Sequence, residues 1–134
     1  MTSDAPVIQL GMETSREGPG LEPAEQARRI TEIASERQAS DILLLDVRKV
    51  CGFADYFVIM SSLTSRHTEA LRQEIETGLR EDGVHMLHRE GTSASGWVLL
   101  DYGDVVVHIF SPAERDYYRL DELWERASTV VRIQ

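Results

Sequence analysis

The stretch GWVLLDYGDVVVHIF, from Gly96 to Phe110, constrains this chain more than any other. Two aliphatic runs flank Tyr102 and Gly103, the pattern of a β-hairpin closed by a tight turn. With Tyr102 and Gly103 at the centre of the turn, Asp101 lies opposite Asp104 and Leu100 meets Val105. Leu99 then meets Val106, Val98 meets Val107, and Trp97 meets His108. Alternation sorts these residues onto two faces. Val98, Leu100, Val105, Val107 and Ile109 share one face, wholly aliphatic, which must be core. Trp97, Leu99, Asp101, Asp104, Val106 and His108 share the other.

That second face is the unusual one. A solvated face would not group a tryptophan, a leucine and a valine, and a second core face would not carry two aspartates. An aromatic anchor with aliphatic neighbours and a polar fringe has the composition of a protein-binding patch. The residues equally allow a simpler reading, in which helices cover this face and the aspartates merely bracket the turn. Catalysis fits less well. His108 stands a full strand away from Asp101 and Asp104, and His67, His85 and His88 show no diagnostic spacing with them. No catalytic set and no metal site is expected.

The rest of the chain agrees with a role in binding another protein. Its 134 residues suit one domain, and a domain of that size buries roughly 68% of its unfolded surface. A single cysteine, Cys51, forms no intramolecular disulfide, which fits a reducing compartment. The N-terminus has neither a basic leader nor a long apolar run, so no signal, no membrane association and a cytoplasmic location are expected. The net charge is −9, with 23 acidic and 14 basic side chains, and Lys49 is the only lysine. Extensive nucleic-acid binding needs clustered cations that this chain lacks. An acidic surface suits a basic protein partner instead.

Residues 1–21 mix Ser, Thr, Gly, Pro and acids without a period and are expected to form a disordered tail. Residues 22–128 are expected to form the domain, with 129–134 as a short C-terminal tail. A helix starts at Pro23, with Ala24, Ala27, Ile30, Ile33 and Ala34 on its apolar stripe. Asp41 to Val47 forms a strand, RKVCGF turns the chain, and ADYFVIMSS forms an interior strand. A second helix opens at Thr64 or Ser65, buries Leu71, Ile75 and Leu79, and ends at Gly83. VHMLHRE is a peripheral strand and GTSASG a flexible connection to the hairpin. SPAERDYYRLDELWERAS then opens with a capping box between Ser111 and Glu114 and docks Leu120, Leu123, Trp124 and Ala127. The order α-β-β-α-β-β-β-α predicts an α/β fold, a mixed sheet of roughly five strands with flanking helices. Its last three strands are expected to be antiparallel neighbours.

ADYFVIMSS, TSRH, the acidic helix, the EG pair, WVLLDYGDVVVHIF and RDYYRLDELW occur in an order that resembles the ribosomal silencing factor, or Iojap-like, family. The resemblance spans about Pro23 to Ala127 and is most specific at W-x-x-x-D-x-G-D-x-x-x-H. It implies a nucleotidyltransferase-like α/β sandwich with no catalysis and no cofactor. It also implies binding to the fourteenth protein of the large ribosomal subunit, which blocks joining of the small subunit and represses translation under nutrient limitation. By position, it carries the partner-binding role onto Trp97, Leu99, Asp101, Tyr102 and Asp104. Arg66 and His67 fall in a signature that implies bracing or a secondary interface, and Tyr117 and Tyr118 match the family's tyrosine pair. Leu63 departs from the small residue common before the second helix. Family members are often dimers, so a homodimer is left open. Two other readings compete: a nucleotidyltransferase-like nucleotide-binding enzyme, and a dimeric scaffold in ribosome or RNA maturation. The enzyme would need Gly-Ser leading to Asp-x-Asp for magnesium, which the chain lacks.

Overall fold

A computed structural model describes residues 21–120 and 127–134. Helix α1 (Pro23–Glu36) starts where Glu22 and Glu25 cap each other reciprocally and proline occupies the first turn. It buries Ala27, Ile30, Thr31, Ile33 and Ala34. Ala24, expected on this stripe, is exposed, because burial begins one turn later. Thr31 joins the stripe since its hydroxyl donates to the Ala27 carbonyl at 2.9 Å, leaving no unpaired polar atom.

Strands β1 (Ser40–Asp46) and β2 (Tyr56–Ser61) pair antiparallel, and every β2 residue is buried, as its continuous apolar run requires. Helix α2 (Ser65–Glu81) is capped by Thr64, whose Oγ1 accepts the His67 amide at 3.0 Å. Leu71, Ile75 and Leu79 form its buried stripe. Strands β3 (His88–Glu90), β4 (Trp97–Asp101) and β5 (Val105–Phe110) follow, then helix α3 (Pro112–Tyr118) and strand β6 (Ser128–Ile133).

The sheet has six strands in the order β3-β4-β5-β2-β1-β6, and β2 with β5 is its parallel pair. The three strands β3, β4 and β5 are antiparallel neighbours, as short connections dictate. The sixth strand corrects the expected count of about five. Residues 129–134, expected as a tail, lie mostly in β6, which pairs antiparallel with β1. Five of its six residues are exposed at the sheet edge, so STVVRI carries little in-out contrast to read. The VHMLHRE strand shrinks to His88–Glu90, because Val84 turns into the core and Leu87 stays 70% exposed.

Helices α1 and α2 cover one sheet face over a core of Ile30, Ile42, Leu44, Val58, Leu71, Ile75, Leu100 and Val107. The opposite face carries a second cluster, with Leu43, Leu45, Phe57, Ile59, Val106 and Phe110 buried and Trp97, Leu99, Leu120 and Ala127 packed at its margin. Leu123 and Trp124 lie outside the described residues, as does the expected tail before Leu21.

Candidate functional site

The hairpin turns one residue later than its composition suggests, which shifts the cross-strand pairing by two. Trp97 pairs with Phe110, Leu99 with His108, and Asp101 with Val106. Tyr102 donates its amide to the Val105 carbonyl at 2.9 Å, so Gly103 and Asp104 form the turn. Gly103 has φ +90, and a primed two-residue turn favours glycine at its first central position. A shift of two preserves the alternation, so each residue keeps its expected face.

Trp97 therefore sits on the face opposite α1 and α2. Its ring stacks on Phe110 at 4.9 Å between centroids and meets Tyr118 of α3 at 4.5 Å. Its Nε1–H donates to His108 Nδ1 at 3.2 Å. The indole is half-buried, and its accessible part lines a depression of about 270 Å³ with Leu99 and Tyr118, flanked by Glu90 and Glu114.

Local chemistry holds this wall in place. Thr92 and Ser95 cap each other around a short 3₁₀ turn, so the GTSASG segment is structured where a flexible connection was expected. Gly91 has φ +82, and a Cβ there would stand 2.1 Å from the Trp97 carbonyl oxygen. Ser111 accepts the Glu114 amide at 3.2 Å, but the expected capping box is only half formed. The Ser111 amide instead donates to the Gly96 carbonyl at 2.8 Å, which leaves the Glu114 carboxylate free to flank the depression. Arg115 fastens α3 to the sheet, its Nη1 donating to the Asp41 carbonyl at 2.6 Å and to Ser61 Oγ at 3.0 Å. α3 ends at Tyr118, with Arg119 in the left-handed region, and residues 121–126 of the expected helical stretch lie outside the described residues.

The structure separates the other predicted residues. Leu99 shares the Trp97 face and the depression. Asp101 lies on the same face but spends its Oδ1 on the Gly103 amide at 2.7 Å, which fixes the turn. Asp104 is exposed at the turn, and its backbone carbonyl accepts the Asp55 and Tyr56 amides at 2.7 and 3.0 Å. Tyr102 does not join them. Its ring is buried in the cluster beneath α1 and α2, across the sheet from Trp97, because 102 continues the alternation of 98 and 100. Burial pushes its hydroxyl up to about 12, with the Glu76 carboxylate adding to the shift. His67 works on the helix side, its Nε2–H reaching the Arg37 carbonyl at the end of α1 at 2.7 Å. Arg66 is exposed beside it in sequence. Tyr117 is 77% exposed and packs edge-on against Tyr118.

His108 is no ligand partner of the aspartates. It is buried among Phe57, Phe110 and Trp97, with ring centroids 5.2 to 6.1 Å away, and this burial pushes its pKa down to about 4. Among the described residues no group of three or more His, Cys, Asp and Glu converges as metal ligands would. No described helix is long and apolar enough to cross a membrane. The hairpin pattern alone did not point to Phe110, Glu90 and Glu114. Phe110 closes the aromatic wall only in the shifted register, and the two carboxylates arrive from separate elements.

Comparison with known proteins decides the family. The model of the family "Ribosomal silencing factor during starvation" matches residues 21–134. The chain belongs to the ribosomal silencing factor family. Ribosomal silencing factor RsfS of Bacillus subtilis is 40% identical over 89 residues, covering 66% of this chain and 75% of that protein. The Chromobacterium violaceum RsfS is 34% identical over 104 residues, covering 78% and 85%. The chloroplastic Iojap protein of Zea mays is 32% identical over 101 residues, which is 75% of this chain and 44% of that longer protein. A crystal structure of a C. violaceum protein superposes with a TM-score of 0.75 at 33% identity, covering 83% of this chain and 94% of that one. A Bacillus halodurans structure gives 0.70 at 30% identity, covering 81% and 98%. The silencing-factor fold is thus this mixed α/β sheet with its flanking helices, and the family's role is regulatory.

Proposed function

We propose that this silencing factor binds the large ribosomal subunit through its fourteenth protein and blocks joining of the small subunit by bulk, repressing translation under nutrient limitation. The observation that carries this reading is the half-buried Trp97, which lines an open depression with Tyr118 and Leu99 between two carboxylates. A rigid aromatic held by its neighbours offers area at small entropic cost, and docking completes its desolvation. Glu90, Glu114, Asp101 and Asp104 supply an acidic fringe for a basic ribosomal protein. Tyr117 extends the same surface. Tyr102 contributes by shaping the turn from within the core. The mechanism asks for occupancy rather than chemistry, since only binding that differs between free and joined subunits shifts their equilibrium. Such a factor acts in the cytoplasm, where subunits join. A homodimer through part of the same apolar surface would compete with docking.

Subunit association read by light scattering or gradient sedimentation tests the proposal. The full chain is expected to co-sediment with large subunits and lower the joined fraction. Trp97→Ala is expected to weaken binding by about 30-fold, a loss of roughly 2 kcal/mol typical of a central anchor. Joining blocked equally well by the variant would overturn the assignment of the surface.

A further inference from the structure

We infer that His108 is a positioning residue for docking, its Nδ1 holding the Trp97 indole in the orientation that its partner meets. The inference rests on the docking role proposed for Trp97. The indole has one polar atom, Nε1–H, and His108 Nδ1 accepts it at 3.2 Å. An accepting Nδ1 carries no proton, so the neutral ring bears its proton on Nε2. That Nε2 is buried and has no hydrogen-bond partner among the described residues.

An apolar side chain in the same place would bring no orphan Nε2–H of its own, and burying one is costly. A histidine that tolerates this cost is being used for its other nitrogen. The surroundings enforce the choice. Phe57 lies edge-on to the imidazole, Phe110 lies parallel to it, and among the described residues no charged side chain hydrogen-bonds it. Burial keeps the ring neutral, so Nδ1 remains an acceptor. Stacking on Phe110 and Tyr118 sets the tilt of the indole, but aromatic contacts alone leave a ring flip open. The bond to Nδ1 selects one flip state. With its N–H satisfied inside the chain, Trp97 offers a partner only carbon surface, which specifies an apolar contact at the floor of the depression.

Two variants and one spectrum test this. His108→Leu keeps the volume near that of imidazole and removes the acceptor, and His108→Asn places Oδ1 near the former Nδ1. Binding of each full-length variant to purified large subunits is measured beside Trp97→Ala, with the Trp97 indole N–H resonance followed by NMR and assigned through Trp97→Phe. His108→Leu is expected to weaken binding about tenfold, the worth of one such bond, and to shift the indole resonance upfield. His108→Asn is expected to restore both. If His108→Leu binds like wild type while Trp97→Ala does not, the positioning role is wrong and the docking role stands. If Trp97→Ala also binds like wild type, the docking role falls and takes this inference with it. Should His108→Leu fail to fold, the wild-type imidazole ¹⁵N shifts decide: a proton on Nε2 supports the inference, and a proton on Nδ1 overturns it.

Discussion

At the scale of single residues, His108 links stability to the docking wall. Burial holds its pKa near 4, below the 6.5 of an exposed imidazole. Between those values the unfolded chain binds a proton that the folded chain refuses. The folded state is therefore fully favoured above pH 6.5 and loses stability as pH falls toward 4. The loss from this one group is on the order of 2–3 kcal/mol between pH 7 and pH 4.5. Urea unfolding at those two pH values is expected to show this difference in wild type and to lack it in His108→Asn. Equal slopes in the two proteins would place the titration elsewhere. The sequence already put His108 on the face of Trp97, but the hydrogen bond between them was hidden, because the expected register set them directly opposite as a cross-strand pair. In the true register Phe110 takes that place, and His108 stands diagonal to Trp97, within reach of its nitrogen.

At the scale of elements, the wall depends on how β3, β4 and α3 are tied together. Gly91 lies between the first two, where a methyl group would clash with the Trp97 carbonyl in a left-handed backbone. Gly91→Ala is expected to cost at least about 2 kcal/mol in thermal or urea unfolding and to displace the start of β4. A variant as stable as wild type would show that this edge rearranges freely. Edge strand β3 is also anchored to α2, since Glu76 accepts Arg72 at 2.9 Å and Arg89 at 3.0 Å. Elements with strong periodicity were legible: α1, α2, β2 and the hairpin follow from their apolar spacing. A break that the pattern of RLDELW does not signal is the left-handed Arg119, which ends α3. β6 escaped notice because an exposed edge strand has no buried face to mark it.

At the scale of the molecule, the fold gives its two sheet faces different work. One is sealed by α1 and α2, while the other has a buried centre and an open aromatic margin at Trp97. This division was half legible, since alternation in the hairpin separated the faces but left open whether helices covered the second. The net charge of −9 predicts association with a basic partner that slows as salt rises. Replacing Glu90 and Glu114 with Gln is expected to lower the association rate by about threefold at low salt and to change dissociation little, as rim charges do. Stopped-flow mixing with large subunits would detect this, and an unchanged association rate would exclude steering by these carboxylates. The account stands most directly on where the bound partner touches the chain. A photo-crosslinking side chain placed at Tyr117 in one protein, and at the exposed Glu32 of α1 in another, reports this when each is bound to large subunits. The account predicts cross-links to the fourteenth ribosomal protein from position 117 and none from position 32, and the reverse pattern would contradict it.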